Sequence, residues 1–213
     1  MRASPARYAL LLATGLVLVH SGGALAAPRA KPNCKLVQDA RGDATAAAVT
    51  EPAPLPNNPQ LDVLSADLAS DGRTLTAVLR LDALAATDAN APTGRGYHLS
   101  FAAGEAVLVL SAHIDAMGTA TYSAGSEEAS TAMRLGEASG RIDLAKREIR
   151  IHAPVSAFAS KAALRPGSQV TSLLARTQRG VSAGPVARGV VADNTEPSGR
   201  YALGAPSCVA VGR

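Results

Sequence analysis

The chain of 213 residues is poor in several things that most function classes need. It has no Trp, two Phe and four Tyr. One of the tyrosines, Tyr8, falls in the leader, so Tyr97, Tyr122, Tyr201, Phe101 and Phe158 are the aromatics of the exported chain. Stacking platforms for sugars or for single-stranded nucleic acid are therefore scarce. Basic residues are scattered, with no run to follow a phosphate backbone, so nucleic acid is not an expected partner. No P-loop and no dinucleotide-binding fingerprint is present. Cysteine is restricted to Cys34 and Cys208.

Long apolar runs are also lacking, apart from one at the start. "MRASPAR" carries Arg2 and Arg7 and no acid, Ala9 to Val19 is apolar, and Ala24-Leu25-Ala26 offers the small residues that signal peptidase reads. The apolar run is too short to span a bilayer, which needs roughly 20 residues. Residues 1–26 read as a secretory signal peptide cut after Ala26, with Ala27 a near alternative. No Cys follows the cut directly, which argues against a lipoprotein anchor, and no later run reads as a membrane span. Removing the leader leaves 19 basic residues against 17 acids, a near balance of +2. A secreted (extracellular) protein is the expectation, and in an oxidising space Cys34 and Cys208 are expected to pair. Residues 27–33 read as a short mobile leader and 34–213 as one domain.

What is abundant is alternation. In Arg73–Asp82, Leu75, Ala77, Leu79 and Leu81 share one face while Thr74, Thr76, Arg80 and Asp82 share the other, with Val78 the exception. Leu61–Leu68 is a second strand candidate, and Ser70 to Gly72 is a turn. Tyr97, Leu99 and Phe101 alternate with His98 and Ser100. The run Val107 to Leu110 predicts a strand covered on both faces. "TATYS" reads as a short strand and "SEEAS" as a polar turn. Ile142 and Leu144, a turn near Ala145-Lys146, then Ile149 and Ile151 predict a hairpin. Val155–Leu164 is the only helix candidate, ended by Pro166-Gly167. "QVTSLLARTQ" is the last strong strand, and "GVSAGPVARG" and "DNTEPSGR" read as loops. Seven to nine short strands predict an all-β fold, an antiparallel β-sandwich of jelly-roll or immunoglobulin-like type with one short helix.

The candidate chemistries are few. Gly180-Val181-Ser182-Ala183-Gly184 spells a nucleophile elbow, but Pro185 and Gly189 start no helix and no His follows His152, so Ser182 reads as a loop residue. His98, His113 and His152 show no zinc spacing, and His98 and His152 read as solvated or hydrogen-bonded residues on polar strand faces. The carboxylates are more suggestive: Asp39 and Asp43 flank "ARG", Asp62, Asp67 and Asp71 follow in and after the next strand, and Asp193 lies in "ADNTE". Calcium takes several oxygen ligands, and sandwich loops supply them, so Asp39 and Asp43 are candidate calcium ligands. The competing reading is that these aspartates only cap turns. Arg41-Gly42-Asp43 also spells an adhesion tripeptide, a match that three letters give by chance.

"CKLVQDARGDA", "PQLDVLSADLASDGRTLTAVLRLDAL", "GRGYHLSF", "EASGRIDLAKREIRIHAPVSAF" and "ADNT" together resemble secreted β-sandwich proteins of actinobacteria. These in turn are similar to the jelly-rolls of family 9 carbohydrate-binding modules and their DOMON-like relatives. The resemblance implies a noncatalytic domain with calcium near Asp39 and Asp43. The chain departs from the sugar-binding members in having no Trp. The expected function is a secreted, noncatalytic β-sandwich with a binding or structural role toward an extracellular ligand or cell-surface partner. The alternatives are a carbohydrate- or small-ligand-binding module and, third, an extracellular hydrolase using Ser182 or a carboxylate pair.

Overall fold

The computed structural model describes residues 31–45, 56–91, 93–128, 131–180 and 190–212, and both the segment read as a signal peptide, residues 1–26, and Ser182 lie outside them. The described residues form two antiparallel sheets packed face to face, so the all-β sandwich read from the sequence is the fold. The strands are β1 (Val37–Gln38), β2 (Val63–Ser70), β3 (Thr74–Leu81), β4 (Arg95–Ala103), β5 (Ala106–Ile114), β6 (Ala120–Glu128), β7 (Thr131–Glu137), β8 (Ser139–Asp143), β9 (Glu148–Pro154), β10 (Gln169–Arg179), β11 (Val190–Asn194) and β12 (Ser198–Ala202). One sheet runs β1-β2-β3-β9-β8. The other runs β11-β10-β4-β5-β6-β7, with β12 also paired to β10.

The alternation read from the sequence sets the core. Leu75, Leu79 and Leu81 of β3 and Ile149 and Ile151 of β9 face Tyr97, Leu99 and Phe101 of β4 and Leu108 and Leu110 of β5 in one buried cluster. The Phe101 and Phe158 rings meet edge to face with centroids 6.2 Å apart. Val78, which breaks the β3 alternation, points to the outer face of its sheet. There the C-terminal tail lies over it, and Val78 packs with Ala69, Val209 and Val211. Gly212 N–H donates to Thr76 Oγ1 at 3.2 Å and holds the tail's end down.

Five expectations need correcting, the first being "SEEAS" as a polar turn: its Ser126, Glu127 and Glu128 continue strand β6. The helix predicted over Val155–Leu164 is only a 3-10 turn, Val155–Phe158. Its entry residue, Pro154, supplies no capping side chain, and Val155 and Phe158 are drawn into the core instead. A ten-residue helix without a cap has little to offset the cost of its first turn. The strands number twelve among the described residues, more than seven to nine. The segment "DNTEPSGR" is not a plain loop: β11 and β12 pair with opposite halves of the eleven-residue β10. Val107–Leu110 is not covered throughout, since Val107 is 37% exposed although Val109 is buried.

Candidate metal centre

The first covalent link to the site is the disulfide. Cys34 and Cys208 are bonded, with Cα atoms 5.2 Å apart, and the two ends also share backbone bonds: Asn33 N–H to Pro206 O at 2.9 Å and Cys208 N–H to Asn33 O at 3.0 Å. From this clasp the chain enters β1, where Val37 pairs with Ala66 of β2 and Leu36 N–H donates to Asp67 Oδ1 at 3.1 Å. The segment Asp39–Asp43 is thereby laid along the start of β2. Gly42 N–H donates to Asp62 Oδ2 at 2.6 Å, and Gly42 has φ +93°, a backbone shape that favours glycine.

From the opposite sheet comes Asp193. Thr177 of β10 pairs with Asp193 of β11 just before a bulge, and Asp193 Oδ2 accepts the Val63 N–H of β2 at 2.7 Å. Asp39, Asp43 and Asp193 each bring a carboxylate oxygen within 4.8 Å of the other two. Among the described residues none of the three is ion-paired with a basic side chain. Arg41, the nearest in sequence, turns away to Asp82 at 3.0 Å. Like charges so close repel by about 1 kcal/mol per pair in water and about 3–4 kcal/mol at a protein's effective dielectric.

The electrostatics register this crowding. Burial is the main force pushing the Asp193 carboxyl up to about 7, helped by the Asp39 and Asp43 charges and opposed by the Val63 N–H. Burial also raises Asp39, with Asp43 adding to it and the Ala40 N–H opposing. Asp39 Oδ2 is buried with no hydrogen-bond donor. A buried acceptor left this way calls for a cation, a proton or an ordered water. The donor set is all oxygen and all anionic, which fits a hard cation such as calcium and not a thiolate- or imidazole-seeking metal.

The two aspartates read from the sequence as calcium ligands, Asp39 and Asp43, are thus brought together, and the fold adds Asp193. Two other aspartates of the sequence reading have different work. Asp67 is ion-paired with Arg80 at 2.7 Å. Asp71 caps its turn by accepting the Arg73 and Thr74 N–H groups at 2.9 and 2.8 Å, and these bonds hold its carboxyl below the usual range.

The histidines lie elsewhere. His98 is on the outer face of β4, as alternation requires, but it is only 5% exposed. Its Nδ1 bonds Ser111 Oγ at 2.8 Å. Burial first, and the Arg176 charge second, push it down to about 4. Over the same face Arg176 of β10 reaches Glu127 of β6, and Ser100 Oγ of β4 donates to the same Glu127 oxygen at 3.2 Å. His152 Nδ1 meets Thr76 Oγ1 at 2.9 Å, beneath the C-terminal tail.

No family model, no curated protein and no solved structure matches the chain. Among the described residues no helix is long and apolar enough to cross a membrane.

Proposed function

We propose that this protein is a secreted, noncatalytic β-sandwich, with a binding or structural role outside the cell, whose two sheets are tied by calcium at Asp39, Asp43 and Asp193. The observation that carries the reading is the meeting of three unpaired carboxylates from chain-distant segments within 4.8 Å. Asp39 and Asp43 belong to the segment leading from β1, and Asp193 to the opposite sheet, so one ion would tie the layers together. The leader argues for export, and the disulfide is compatible with an oxidising destination. Calcium sites of extracellular modules work in the millimolar range, so a modest ligand set suffices there.

The noncatalytic part rests on the Ser111–His98 pair. It has the letters of a nucleophile and its base, yet the other side-chain partner of His98 is the Gln178 amide and not a carboxylate. With its basicity pushed down to about 4, His98 is a poor proton acceptor at neutral pH.

The test is thermal unfolding in excess EGTA and in calcium. Saturation at a hundred times Kd adds about 2.7 kcal/mol. For a domain of this size that is a rise in Tm of about 5–10 °C. Identical melting in both buffers overturns the calcium reading.

A small-ligand- or carbohydrate-binding module is the second reading. It is favoured by the outer face of the seven-stranded sheet, where His113 Nε2 and Arg176 Nε are buried without partners and His98 faces Gln178. Gln178, Gly96 and His113 lie in one row across β10, β4 and β5, next to the row of Arg176, His98 and Ser111.

A further inference from the structure

The same corner holds unpaired oxygen outside the group formed by Asp39, Asp43 and Asp193. Asp62 is fully buried at 0% exposure. Its Oδ2 accepts the Gly42 N–H at 2.6 Å and Asn57 Nδ2–H at 3.4 Å, but its Oδ1 is buried with no partner. Asn57 Oδ1, on the amide that touches Asp62, is likewise buried and unpartnered. Both orphans are acceptors, and both belong to the Asn57–Asp62 pair beside Asp43. The Asp43 and Asp82 charges add to burial in raising the Asp62 carboxyl. Asp82 is already ion-paired with Arg41, whereas Asp62 has no basic partner among the described residues.

Geometry separates this pair from the first site. Oxygens bound to one calcium at about 2.3–2.6 Å lie at most about 5 Å apart. Asp39, Asp43 and Asp193 satisfy that limit together, and the 4.8 Å group does not extend to Asp62.

We infer that the corner binds two calcium ions, one held by Asp39, Asp43 and Asp193 and a second by Asp62 and Asn57. The inference rests on the calcium reading above and extends it. Once all four carboxylates without basic partners are ionised they carry four negative charges, which two divalent cations neutralise. The second ion also gives the buried Asp62 Oδ1 and Asn57 Oδ1 a partner.

The experiment is calcium titration of the intact, disulfide-bonded protein, with stoichiometry counted by native mass spectrometry and calorimetry. Two ions per chain are expected for the wild type and one for Asp62→Asn. Asn57→Ala, a milder change on a half-buried loop residue, is expected to weaken the second ion at least tenfold. It decides the matter if Asp62→Asn fails to fold. A wild type saturating at one ion, Asp62→Asn still taking two, or Asn57→Ala with both affinities unchanged overturns the inference. A wild type taking none sinks the underlying calcium reading instead, so the two failures are told apart.

Discussion

Replacing Cys34 and Cys208 by Ser tests how much the sandwich depends on its covalent clasp. The two cysteines are separated by 174 positions, so the bond closes almost the whole folded unit into one loop. On the chain-entropy model a loop of that size restricts the unfolded ensemble by about 5 kcal/mol. The native ends stay adjacent without the bond, because Asn33 and Cys208 still exchange backbone hydrogen bonds with their neighbours. The Ser pair therefore alters mainly the unfolded chain, and the expected loss is about 3–5 kcal/mol. With a urea slope of about 2 kcal/mol/M, suited to this length, the midpoint falls by about 2 M. The slope itself rises, because the unlinked chain exposes more surface when it unfolds. Circular dichroism is the probe of choice, since there is no Trp to report by fluorescence. A midpoint shift below about 0.3 M at unchanged slope would refute the loop-entropy reasoning and place the stability elsewhere.

Two further outcomes follow from named side chains. In EGTA, Asp193 is held neutral in the fold up to about pH 7 but ionises near its ordinary 3.8 when unfolded. Its contribution to stability therefore falls as pH rises from about 4 to 7. His98, lowered to about 4 in the fold against 6.5 unfolded, acts oppositely, its contribution lost as pH falls below 6.5. The clean measurement is the difference between Asp193→Asn and wild type. The variant's advantage in urea midpoint should grow from pH 4.5 to 7, and a constant difference contradicts the assignment. For the outer face of the seven-stranded sheet, a glycan array probed with the calcium-loaded protein should give hits that Arg176→Ala weakens at least tenfold. An array without hits removes sugars as its ligands.

Much of the fold was legible because burial imposes period two on a strand covered on one side. β3, β4 and β9 declare themselves through Leu75, Leu79, Leu99, Phe101, Ile149 and Ile151. β11 and β12 do not, because what makes them strands is the length of β10, which offers each a separate half to pair with. Val78 departs from the β3 pattern because the tail residues Val209 and Val211 cover it, a contact with no local signature. The metal centre divides in the same way. Asp39 and Asp43 are near neighbours and could be read together. Asp193 joins them only through the β10–β11 ladder and the Val63 hydrogen bond. The period of β4 puts His98 on the outer face, but its burial there, beneath the face where Arg176 of β10 and Glu127 of β6 pair, is recorded by no single strand.

The chain enters the sandwich where Asn33 lies beside Ser207 and sulfur joins the neighbouring residues, and only the short tail over Val78 runs on from there. Tension applied to the flanking segments would pass through that bond and bypass both sheets. The body of the protein would hang from the line of force as a pendant, keeping its shape under a pull strong enough to unravel an unlinked domain.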